Sequence, residues 1–147
     1  MKSGADLARL ASVFEDEEYV LQPGAREFVQ QRKAQVGPDG VIRCYMPSTP
    51  LGMMIRVYAG VETTAYLWAD HRAELHQLFA VMEAKYRQQY ELYASLGYDL
   101  LYCTDDTSTS TISPGMFEEF CLGYTDRMLN FLREHPRHPR ADYVQYL

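Results

Sequence analysis

The residues best suited to chemistry lie in the stretch 97–135, and the first of them are Asp105 and Asp106. Adjacent carboxylates can bind a cation, orient a polar group of a substrate, or divide into an acid and a base when their surroundings differ. The plainer alternative is that one caps a turn while the other is solvated. Residues 98–103 before them form a short, nearly continuous apolar run bounded by Gly97 and the two acids. The run is too short for a helix and suits a parallel strand covered on both faces. Carboxylates just past the carboxyl end of a strand stand where parallel α/β folds collect their chemistry.

The remaining candidates are weaker. Thr107, Ser108, Thr109, Ser110 and Thr111 offer five hydroxyls in a row. A rigid loop of that kind can hold a phosphate or carboxylate, but without glycine it is no phosphate-cradling loop, and a flexible polar linker is the plainer reading. His71 and His76 diverge on a helix, while His135 and His138 sit among prolines, so no zinc constellation emerges from this chain alone. Cys44, Cys103 and Cys121 are odd in number, widely spaced and apolar in setting, which predicts reduced thiols in a cytoplasmic protein. No nucleophile context of the G-x-S-x-G kind occurs. The 12 tyrosines, Tyr86, Tyr90 and Tyr93 among them, and Met53 and Met54 read as packing anchors before they read as a ligand pocket.

These residues need elements to place them. Ser113 offers a side-chain cap and Pro114 fits a first helical turn. Phe117, Phe120, Cys121, Tyr124, Met128 and Phe131 then follow at helical spacing. Upstream, residues 72–96 form the longest predicted helix, with Asp70 as its N-cap, Gly97 as its stop, and a stripe from Leu75 to Leu96 as its apolar face. Glu74, Glu83, Lys85, Arg87 and Glu91 occupy the water side. Residues 41–46 predict a strand after the turn at residues 37–40, and short helical pieces follow the loop at residues 47–50. Residues 5–19 and 25–36 predict two N-terminal helices, the first ending in a solvated acidic cluster and the second largely exposed. Residues 143–147 begin another strand or form a frayed tail. The order strand, broken helices, long helix, strand, helix is that of an α/β fold with parallel strands and a high helix content. With no interior linker or repeat, residues 1–147 read as one domain.

Bulk properties narrow the partners. The chain has 147 residues and a net charge of -6, with a pI near 5.1. That balance argues against nucleic acid or an anionic membrane as the main partner. No run reaches membrane-spanning length, and the first ten residues lack the apolar core of a signal peptide.

Three segments in order carry a resemblance: residues 47–99 from PSTPLGMMIRVYAG to the Gly-x-Asp at Asp99, the strand and acidic turn YDLLYCTDDTS, and ISPGMFEEFCLGY. Together they resemble the uroporphyrinogen decarboxylase superfamily, which includes the decarboxylase of haem synthesis and the zinc-dependent methyltransferases that serve corrinoid proteins. The last segment is the most specific, matching a Ser-Pro-x-x-Phe-x-x-Phe-like helix start, although Gly123 stands where members commonly have proline. The resemblance implies a TIM-type (β/α) barrel with its site at the carboxyl ends of the strands, and it puts Asp105 or Asp106 at that mouth. A complete barrel needs about 250 residues, so this chain matches a middle part, roughly half of one.

Two departures shape the functional expectation. The arginine-bearing N-terminal loop of the decarboxylases is not recognisable, which favours the methyltransferase-like branch. The His-x-Cys zinc motif of that branch is absent. The resemblance therefore implies a small-molecule substrate or a corrinoid protein as partner, zinc as the branch's cofactor, and an isolated chain that neither holds zinc nor turns over. Tetrapyrrole decarboxylation is the second reading. A non-catalytic domain that uses exposed sheet edges for binding or for homo-oligomer assembly is the third.

Overall fold

The computed structural model describes residues 3–134. The order is α1 (Gly4–Asp16), α2 (Ala25–Val36), β1 (Arg43–Tyr45), α3 (Pro50–Met53), a π-helical turn π1 (Met54–Tyr58), α4 (Val61–Asp70) and α5 (Arg72–Ser95). It continues with β2 (Leu100–Tyr102), α6 (Pro114–Met116), a second π-helical turn π2 (Phe117–Leu122) and α7 (Gly123–Glu134). The fold is mostly helical around one two-stranded sheet. β1 and β2 are parallel, with Arg43 opposite Leu100, Cys44 opposite Leu101 and Tyr45 opposite Tyr102. Both strands are shorter than their apolar runs predict. The flanking residues are drawn into loop contacts, such as the bond from the Ile42 amide to Asp99 (2.9 Å). The expected strand or tail at residues 143–147 lies outside the described residues.

α5 is the centre of the packing. Leu75, Leu78, Phe79, Met82, Tyr86, Tyr90 and Ala94 are buried along it, close to the stripe its spacing predicts. Gly97 ends the helix region with φ 80, a left-handed value that favours glycine. Asp70 is not its N-cap. α4 runs through Asp70, and His71 takes the cap position without a side-chain bond. α1 lays Leu7 and Phe14 on α5, and the Phe14 ring meets the rings of Tyr58 and Tyr86 edge-on. Lys85 is not a free water-side charge: its ammonium donates to the carbonyls of Glu15 and Glu17, both at 2.8 Å. α2 buries only Val29, as its poverty of apolar anchors predicts.

The sheet has two unlike faces. Leu101 is buried and Cys44 half-buried on the side that joins the core. On the other side Arg43 and Tyr45 are exposed, and Leu100 and Tyr102 are half-covered. The two strand-to-helix passages are built alike. After β1, Thr49 caps α3 by accepting from the Gly52 amide, with Pro50 in the first turn and π1 next. After β2, Ser113 caps α6 by accepting from the Met116 amide, with Pro114 in the first turn and π2 next. α3 and π2 pack against each other. The sequence reading sees no repeat here because the two segments share a cap and a proline but few other residues.

Candidate functional site

The loops leaving the carboxyl ends of β1 and β2 meet. Ser48, wholly buried, donates from Oγ to the Thr104 carbonyl at 2.7 Å. The Tyr45 hydroxyl lies 3.2 Å from Thr104 Oγ1. Arg56, carried on π1, reaches back over both: Nη1 donates to Ser48 Oγ (2.7 Å), to the Tyr45 hydroxyl (3.1 Å) and to the Thr104 carbonyl (3.4 Å). Burial works against ionisation of Tyr45, but bonds from Thr104, Arg56 and Ser48 and the charge on Arg56 outweigh it and hold its phenol below the ordinary value.

The two aspartates have separate surroundings. Asp105 is buried, with 4% of its surface exposed. Its Oδ2 accepts from the Thr49 amide at 3.1 Å, so the acid on one loop caps the helix that follows the other. Its Oδ1 has no hydrogen-bond partner, and it sits so close to Gly52 that a Cβ there would collide with it. Burial raises the Asp105 pKa above the ordinary carboxylate value, against the pull of Thr49, Ser48 and Arg56. Asp106 is exposed. It accepts from the Ser108 amide (3.0 Å) and the Thr111 hydroxyl (2.8 Å), and bonds from Ser108 and Thr111 keep its pKa below the ordinary value. The hydroxyl-rich run is thus a turn wound round Asp106, with Ser108 also bonded to Ser110 and Thr111. It is not the linker its composition predicts.

Thr49 Oγ1 lies 3.7 Å from Cys121 Sγ on π2. Burial pushes the Cys121 thiol up to about 11, and the Asp105 charge adds to that, so it is no thiolate at neutral pH. Burial likewise lifts Cys44 to about 11.

A second polar cluster gathers around Glu119. Glu119 on π2 accepts from Trp68 Nε1 (2.9 Å), from Arg72 Nε (2.7 Å) and Nη2, and lies 2.6 Å from His76 Nε2. Burial acts to raise its pKa, and the three donors overcome it and hold it low. This arrangement ties π2 to α4 and α5. His76 is spent there, while His71 lies near Glu74. Among the described residues no three His, Cys, Asp or Glu side chains converge as a metal would require. Asp105 lies near enough to Cys121 for its charge to be felt there, but no third His, Cys, Asp or Glu joins them among the described residues, so these residues do not fit a zinc site.

Sequence reasoning picked out Asp105 and Asp106 and passed over Ser48, Thr49 and Arg56. The signal for Arg56 was present: it is the one charge within the apolar run LGMMIRVYAG. A cation embedded in such a run needs acceptors, and the loop ends supply them.

Comparison with known proteins gives no match among family models, curated proteins or solved structures. No helix among the described residues is long and apolar enough to cross a membrane.

Proposed function

We propose that this chain is a uroporphyrinogen decarboxylase-type segment of the corrinoid-dependent methyltransferase-like branch, forming part of a (β/α) barrel and inactive by itself. The observation that carries the reading is the meeting of the two strand-end loops. Parallel β1 and β2 release their loops on the same side. Ser48, Thr104 and Arg56 then bind those loops into one polar surface. That is where a barrel enzyme keeps its site.

In this reading the aspartates divide their duties. Asp106 is the acid a substrate can meet, ionised and fixed by its turn. Asp105 is a positioning residue, which holds the start of α3 against the loop after β2. The partner is a methylated small molecule or a corrinoid protein. Zinc supplies thiolate activation in that branch, and the described donors of this chain do not fit it.

Calorimetric titration with methylcobalamin and with uroporphyrinogen tests the reading. Saturable binding of methylcobalamin, several-fold weaker in Asp106→Asn, supports it. Binding of neither compound overturns it, and a preference for uroporphyrinogen moves the chain to the decarboxylase branch.

A further inference from the structure

We infer that Arg56 forms an oxyanion subsite on the open side of the strand-end surface, taking a small ligand that carries a carboxylate, phosphate or sulfonate. The inference rests on the surface proposed above but not on the identity of the methyl donor.

The guanidinium is held by one nitrogen only. All three of its bonds to the protein leave from Nη1, and their acceptors belong to β1, to the loop after it and to the loop after β2. Anchoring of this kind orders the side chain before any ligand arrives. Among the described residues no acceptor meets Nε or Nη2. These two nitrogens form the edge of the fork that matches the paired oxygens of an oxyanion.

Two other arginines show what that edge does in this protein. Arg127 closes Nε and Nη2 on Glu83, both at 2.7 Å. Arg72 closes the same edge on Glu119. Arg56 presents it empty, in a chain with a net charge of -6. Asp105 lies near enough for its charge to be felt by Arg56. It does not close the edge, since Oδ2 is turned to Thr49 and Oδ1 lies against Gly52.

The surroundings favour an anion further. Arg43 is exposed on the same face of the sheet, its guanidinium 4.7 Å from the centre of the Tyr102 ring. Tyr102 meets Tyr45 edge-on at 5.4 Å. Tyr45, one of the three anchors of Arg56, thus links it to an aromatic pair and to a second exposed guanidinium on one face of the sheet. Asp106, the exposed acid of the loop after β2, is engaged by its own turn.

The test is titration of the full chain with succinate, inorganic phosphate and methanesulfonate, followed by the arginine Nε–Hε resonances in nitrogen-15 NMR spectra. The expected result is a saturable shift of the Arg56 signal while those of Arg72 and Arg127 stay put. Binding falls by about tenfold or more in Arg56→Gln and is not restored by Arg56→Lys, which keeps the charge and loses the fork. Tyr45→Phe removes one anchor without touching the guanidinium and weakens binding a few-fold, so the inference stays testable if an Arg56 variant fails to fold. Unsaturable shifts spread over many arginines, or equal affinity in wild type and Arg56→Gln, overturn it. The order of the three probes identifies the oxyanion. Failure to bind methylcobalamin leaves this result intact, and the two ideas therefore fail separately.

Discussion

At the scale of single residues, Gly52 and Asp105 form a tight constraint in the interior. Gly52→Ala forces either Asp105 or the first turn of α3 to move. A loss of about 1–3 kcal/mol is expected in urea unfolding, as for other overpacked interiors. The pH response of Asp105 has a definite sign. Its folded pKa is raised by burial, so the folded state binds its proton more tightly than the unfolded chain does. The contribution of this group is best at acid pH and is lost as pH rises through the folded value. Compared with Asp105→Asn, the wild type should therefore gain stability as pH falls from neutrality toward the unfolded aspartate value of about 4. Urea midpoints of both proteins across that range check this. Asp106 acts in the opposite direction, since its folded pKa is lowered. The sequence made both acids visible as a pair but could not separate them. Which one is buried depends on Thr49, which lies 56 residues away in the chain.

At the scale of elements, periodicity made α5 legible almost residue by residue, because one continuous stripe has one solution. The strands were legible as apolar runs, though not in length, since loop contacts trim their ends. The helix after Ser113 was legible as a start but not as a shape. Its spacing fits a regular helix, and the wide turn at residues 117–122 arises where Glu119 is drawn to Trp68, Arg72 and His76. Lys85 illustrates a different limit. Its place opposite the α5 stripe marks it as a water-side charge, yet it satisfies the last carbonyls of α1 from another element. Lys85→Met should cost about 1 kcal/mol by removing those bonds and that charge. The check is a thermal midpoint lower by a few degrees with unchanged circular dichroism of the folded state.

At the scale of the whole molecule, stability is distributed unevenly around α5. Its buried residues run nearly the whole helix, whereas α2 buries only Val29 and is tied besides by the exposed Lys33–Asp99 pair. Hydrogen exchange should therefore be slowest in the middle of α5, and α2 should exchange through local opening well before the rest. Equal protection of the two helices would contradict this picture. The architecture as a whole was legible as alternating strands and helices, while the roles of the two sheet faces came only with the packing. The paired π turns carry one more consequence. A π turn holds an extra residue that an ordinary helix would not accommodate. Deleting one residue between Met54 and Tyr58 would restore a normal pitch and shift the phase of the helix by about 100°. The cap at Thr49 and the cation at Arg56 would then face different directions, so the chain can change its letters here more readily than its length.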